Sequence, residues 1–173
     1  MGPSFSAATE DILAHPLFQD TRRLKHHGAD NSVYDHSVAT ARTAYHMACA
    51  LGLSDADVIS ITRAALLHDF FGYDWHDESY RRSLRRYRGI RRLTHMHAFM
   101  HGLTAARRAS RYFALSDRQC DAIAAHMFPL SPVLPRTREA WILTAADKVV
   151  ASREMSQYVY LTMRRLFRRA LAG

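Results

Sequence analysis

Apolar residues recur along this chain at intervals of three and four, and no stretch sustains the period-two alternation of a half-buried strand. The pattern predicts an all-α fold, a compact single-domain helical bundle spanning residues 1–173. A first helix is expected from Thr9 to Phe18, interrupted by Pro16. A second follows Ser32, runs through VYDHSVATARTAYHMACAL and stops at Gly52, since glycine readily takes the left-handed conformation that ends helices. Ser54 and Asp57 form the pattern of a capping box and open DADVISITRAALLHD, in which Val58, Ile61, Ala65 and Leu66 make an inward stripe ending at His68.

Beyond the turn-like FFGYDWHDE, the segment SYRRSLRRYRGIRR is helix or loop, and a further helix is expected from about Thr94 to Phe113. Ser116 and Gln119 form a second capping box, opening a helix that carries Ile123 and His126 and stops near Pro129, which leaves FPLSPVLP as a loop. Thr137 caps EAWILTAADKVVAS. The final segment, EMSQYVYLTMRRLFRRALAG, reads as an amphipathic helix with a basic face that closes the bundle.

Composition narrows the setting. The chain has 173 residues, 48% of them hydrophobic, enough for a sizeable core. Lys+Arg 24 against Asp+Glu 16 gives a formal charge of +8, mostly arginine, which favours anionic ligands. Two cysteines outside any CxxC pair suit a reducing cytoplasm better than a disulfide scaffold. MGPSFSAATEDILAHP lacks a secretory leader, and no run approaches the ~18 apolar residues of a membrane span. A cytoplasmic protein without membrane association is expected.

The pair His68-Asp69 changes the picture most, because it places a charge directly after an apolar helix, where uncompensated burial would cost several kcal/mol. A divalent metal is the economical compensation. Neighbouring residues within a helix diverge by about 100°, but at a helix end His68 can supply one nitrogen while the two oxygens of Asp69 bridge a pair of ions. His36 lies upstream, and His97, His101, His126 and Asp147 lie downstream, each near an expected helix. His97 and His101 are four apart, so either could project towards the same point. His15, His26, His27, His46 and His95 are taken as ordinary core or surface imidazoles. His46 and Cys49 are given no chemistry.

In this order, His36, then His68-Asp69, then Asp147, the sequence resembles the HD-domain superfamily of metal-dependent phosphohydrolases over roughly residues 30 to 155. AALLHDFF, YDWH, HAFMHG, HMFPLSPVLP and EAWILTAADKV are similar to a bacterial subgroup of small stand-alone HD hydrolases. The resemblance implies a helical bundle with His36, His68, Asp69 and Asp147 around one metal. In its dinuclear members His101 and His126 would hold a second ion with Asp69 as the bridge, and His97 is a further candidate ligand. One or two divalent transition metal ions (Fe, Mn, Zn or Co) are thus implied. Where many HD phosphodiesterases read HDIGK, this chain has Phe70, Phe71 and Gly72 after the pair, and Met127 follows His126 where those enzymes double the histidine. The first departure argues against cyclic-dinucleotide hydrolysis, and the second leaves both one and two ions open.

The expected reaction is hydrolysis of a phosphate ester, a small phosphomonoester or nucleotide, by a metal-activated hydroxide. GxSxG, GxxxxGK[ST] and GxGxxG motifs are absent. Lys148 could balance phosphoryl charge or simply pair with a carboxylate, and His76 or Asp74 could protonate the leaving group. Seven arginines between 81 and 92 include Arg85 and Arg86, candidates for gripping substrate phosphate. Two other readings stand beside this one: an oxygen-dependent di-iron enzyme of the same fold, and a non-catalytic phosphate- or RNA-binding module with a structural metal.

Overall fold

A computed structural model describes residues 2–26 and 31–171, with the backbone alone at 93–94 and 169–171. His27, read as an ordinary imidazole, lies outside the described residues. The described residues are helical, without a β-strand, in the order α1 (Phe5–Ala14), α2 (Pro16–Gln19), a 3-10 turn (Asp20–Arg23), α3 (Val33–Ala50), α4 (Asp55–Leu67), α5 (Glu78–Leu84), α6 (Ile90–Thr94), α7 (His97–Tyr112), α8 (Asp117–Ala125) and α9 (Arg138–Leu171). None of these helices is long and apolar enough to cross a membrane.

Serine sets four of the helix starts. The Oγ atoms of Ser4, Ser32, Ser54 and Ser116 accept from the backbone N–H of Ala7, Asp35, Asp57 and Gln119, each worth about 1 kcal/mol over alanine. Ser4 starts α1 four residues before the expected Thr9. Ser116 and Gln119 complete a reciprocal capping box. Gly52 has φ +64°, as its role of helix stop requires. The arginine-rich segment divides into α5 and α6 at Gly89, where φ is +56°.

α4 is the central element. It packs against α1, α3, α8 and α9, while α3 also lies along α9 and α7 along α8. Ile61, Ala64, Ala65, Leu66 and Leu67 on α4 are fully enclosed, with Ala41, Ala44, Ala48, Ile123 and Leu143 among their buried companions. The abundance of alanine keeps the helices close. Arg63 on α4 pins α1 from outside, its guanidinium donating to both Asp11 oxygens at 2.7 and 2.8 Å.

The carboxy-terminal region departs from the expectation. The sequence reading divides 138–173 into two helices, whereas α9 is one helix of 34 residues, roughly 50 Å long. Neither glycine nor proline interrupts Ser152-Arg153-Glu154, so nothing ends the helix there. Its outer half does not close the bundle, for Met155, Val159, Met163, Leu166 and Phe167 are exposed.

Candidate metal centre

Five helices and the segment before α3 bring imidazoles and carboxylates to one buried place. His36 comes from α3, His101 from α7 and Asp147 from α9, while His68 and His126 stand at the C-caps of α4 and α8. All are buried, His36 and His68 completely. His36, His68, Asp69, His101, His126 and Asp147, the ligands expected from the sequence, are thus brought together.

Local backbone chemistry fixes how three of the rings point. His68 Nδ1 donates to the carbonyl of Ala65 at 2.8 Å, and His126 Nδ1 donates to that of Ile123 at 2.7 Å. Each thereby satisfies a carbonyl that the end of its own helix would leave without a partner. His101 Nδ1 donates to the carbonyl of His97 one turn back, at 2.8 Å. With the proton on Nδ1, all three rings turn an Nε2 lone pair inward.

These lone pairs meet acceptors. His101 Nε2 and His126 Nε2 lie 3.0 Å apart, and Asp69 Oδ1 is 3.4 Å from the first and 3.7 Å from the second. His68 Nε2 lies 3.6 Å from Asp69 Oδ2 and 3.7 Å from Asp147 Oδ1. His68 Nε2 and Asp69 Oδ1 are fully buried without a hydrogen bond. His36, His68 and Asp147 offer donor atoms within 4.8 Å of one another, as do His68, Asp69 and His126. Nitrogen and oxygen donors at this spacing, with buried atoms otherwise unanswered, fit one or two divalent transition metal ions.

The electrostatics keep the donors in their coordinating forms. Burial, then electrostatic coupling to His68 and His101, pushes His126 down to about 3, and burial lowers His101 as well. Burial alone would raise Asp69 and Asp147. The imidazoles around them outweigh it, His68 and His26 for Asp69, His36 and His68 for Asp147, and hold both well below the usual carboxylate range. His36 is the exception: burial lowers it, but hydrogen bonds with Asp147 at 3.1 Å and Glu154 at 3.0 Å raise it to about 10. In that state a proton occupies the place between His36 Nε2 and Asp147 Oδ1 that a metal cation would take.

Glycine lets α7 reach α8. A Cβ on Gly102 would stand 3.0 Å from the carbonyl oxygen of Ala124, 3.1 Å from that of Ile123 and 3.3 Å from His126 Cε1. The close approach seats the neighbouring His101 against His126.

Two participants escaped the sequence reading. His26, taken there as an ordinary imidazole, is buried with Nε2 3.3 Å from Asp69 Oδ2, and its ring stacks on His36 at 3.7 Å between centroids. His26, His36 and Asp69 form a third group of donors within 4.8 Å. Glu154 accepts from His36 Nδ1 at 3.0 Å and lies 3.5 Å from His26 Nδ1. Its signal was available, since Glu154 follows Asp147 by seven residues and shares its helix face, but only on one continuous α9. His26 sits in an irregular segment where periodicity is silent.

The other candidates are placed less centrally. Lys148 donates to Asp147 Oδ2 at 2.6 Å and to the carbonyl of His126 at 3.2 Å, the pairing alternative of the sequence reading. His97, a candidate ligand, instead bonds the Tyr73 hydroxyl through Nδ1 at 3.0 Å and stacks between Trp75 and His101. Its first-turn position on α7 sets it one turn outside His101. Asp74 and His76, the candidates to protonate the leaving group, lie on an exposed loop, Asp74 accepting from the His76 backbone at 2.8 Å. The rings of Trp75 and His97 stand between His76 and His101. Arg85 and Arg86, with Arg82, line a surface depression, whereas the cavity that reaches His101 has Arg81 in its wall. Arg81 and Arg82 lie on α5, whereas Arg85 is its C-cap and Arg86 follows it.

The family model for the HD domain matches residues 33–152, more than two thirds of the chain. No significant match was found among curated proteins or solved structures.

Proposed function

Since the chain belongs to the HD-domain family, which implies the superfamily of metal-dependent phosphohydrolases, we propose that it hydrolyses a phosphate ester at the cluster centred on Asp69. The observation that carries this reading is the pair of buried, unbonded atoms His68 Nε2 and Asp69 Oδ1 at the focus of five further donor side chains. His36, His68, Asp69 and Asp147 would hold one ion, and Asp69, His101 and His126 a second, with His26 adding a nitrogen beside Asp69. When bound, such ions supply an activated water as nucleophile and a Lewis-acid hold on the phosphoryl oxygens.

The remaining work falls to the chain. Lys148 engages Asp147 Oδ2 and leaves Oδ1 facing His36 and His68. Glu154 receives the Nδ1 proton of His36 and turns its Nε2 inward. The backbone carbonyls of Ala65, His97 and Ile123 do the same for His68, His101 and His126. Partially exposed, the Lys148 ammonium also offers positive charge beside the developing phosphoryl anion. The substrate is a phosphorylated small molecule.

Elemental analysis of purified protein, joined to phosphate release from a panel of phosphomonoesters and nucleotides with iron, manganese, cobalt or zinc, tests the reading. One or two equivalents of metal and phosphate release abolished by Asp69→Asn are expected. Wild-type metal content in His68→Ala, with no phosphate released from any ester by the wild type, would sink it.

A further inference from the structure

Resting on that reading, we propose that the cavity beside His101 binds the apolar alkyl or aryl group of a phosphomonoester, so that the preferred substrate is an uncharged, apolar alcohol carrying a single phosphate. The cavity has a volume of about 330 Å³. It adjoins the metal cluster directly, since His101 forms part of its wall while Nε2 of the same ring lies 3.4 Å from Asp69 Oδ1. A phosphate at the cluster therefore has its ester group beside this space.

The walls decide what that group is. Trp75, Tyr80, Leu84, Met96, Met127 and Leu130 line the cavity, and Arg81 is the one cation among its described lining residues. The aromatic walls are braced: Trp75 stacks on His97 at 5.1 Å with 8° between planes, and Tyr80 on Tyr73 at 5.3 Å with 19°. Flat, fixed faces suit an aryl group, and the two methionines adapt to alkyl chains. One guanidinium matches one phosphate dianion rather than a triphosphate. Arg82, Arg85 and Arg86, which would answer a polyphosphate, line a separate depression. In the reaction the oxygen of water bonds phosphorus as the bond from phosphorus to the ester oxygen breaks. The alcohol leaves with one proton of that water, and the products are alcohol and inorganic phosphate.

Calorimetric titration of the manganese-loaded protein with n-alkylphosphonates from methyl to hexyl, which cannot be hydrolysed, tests the cavity apart from catalysis. Affinity should rise about four-fold per methylene, the equivalent of ~0.8 kcal/mol for each buried CH₂. The kcat/KM of the matching alkyl phosphates should follow the same gradient. Leu84→Gln, or Leu130→Gln if the first variant does not fold, should flatten the series. Phosphate release without a chain-length gradient, or a clear preference for nucleoside triphosphates over hexyl phosphate, overturns the inference and leaves the hydrolase reading standing. A gradient in phosphonate binding with no turnover of any alkyl phosphate supports the cavity's ligand class and overturns the hydrolase reading instead.

Discussion

Replacing Glu154 by glutamine removes one charge from the rim of the cluster and almost nothing else. Glutamine has the same length, and its Oε1 can still accept from His36 Nδ1 across the 3.0 Å now spanned by the carboxylate. Burial opposes ionisation of Glu154, but hydrogen bonds from His26 and His36 outweigh it and hold the group down at about 2, so it is anionic at every pH where metal binds. A hydrogen bond to a charged acceptor contributes ~1.5–3 kcal/mol against ~0.5–1.5 for a neutral one. The midpoints differ by ~1.3 kcal/mol, close to ten-fold in affinity, near the lower end of the ~10–100-fold typical of residues that orient a metal ligand. Competition between the protein and a chromophoric chelator for manganese or zinc measures it. Glu154→Gln should bind metal about ten-fold more weakly, with kcat at saturating metal within a few-fold of wild type. An affinity within two-fold of wild type would refute the reasoning, and so would loss of turnover at full metal occupancy, which would make Glu154 a participant in the chemistry rather than a positioning residue.

In the metal-free protein the raised pKa of His36, about 10 against 6.5 unfolded, contributes stability that is complete below pH 6.5 and lost as pH rises through about 10. Urea midpoints of the metal-free chain should fall over that window, and His36→Gln should flatten the fall; equal slopes in the two proteins would contradict the assignment. Gly102→Ala gains about 1 kcal/mol of helix propensity but presses a methyl group 3.0 Å from the Ala124 carbonyl. Thermal stability should stay within ~1 kcal/mol of wild type while metal binding by the His101 and His126 side weakens, a split that metal-resolved titration reads and that a uniform effect on both would exclude. Gly72→Ala meets a φ of +75° and overlaps the Arg108 guanidinium, so chemical denaturation should show a loss of at least ~1 kcal/mol, whereas an unchanged midpoint would mean that Arg108 swings away and the turn tolerates the strain.

Helix positions were legible because capping serines and apolar periodicity are local. Ser32, Ser54 and Ser116 mark starts that the structure repeats. The ligand candidates on helices or at their ends, His36, His68, Asp69, His101, His126 and Asp147, were named by the resemblance to the HD-domain superfamily that their order carries. Lost to the sequence were relations that depend on three dimensions. His26 reaches Asp69 from an irregular strip held by a backbone bridge between Lys25 and Ser32, and nothing in LKHHGAD distinguishes it from a surface histidine. His97 and His101 share a helix face, so spacing could not rank them; the depth of the first turn of α7 did. The arginine cluster offered no ranking, because seven cations spread over 81–92 say nothing about which one faces a cavity.

The adjacency of His68 and Asp69 works because the helix ends there. In mid-helix the two side chains would diverge by about 100°, and one of them would leave the cluster. At the C-cap the imidazole answers the carbonyl of Ala65 within its own last turn, and the chain then bends to deliver the carboxylate to the same side. His126 repeats the arrangement at the end of α8 with the carbonyl of Ile123. Each ring therefore has two duties: Nδ1 closes a helix terminus that must be satisfied in any buried bundle, and Nε2 is left as a lone pair facing Asp69. The hydrogen bond that finishes the helix is also the one that selects the metal-binding tautomer. Fold and site thus share the same atoms, which is why asparagine at position 68 would cap the helix yet could not supply the inward nitrogen.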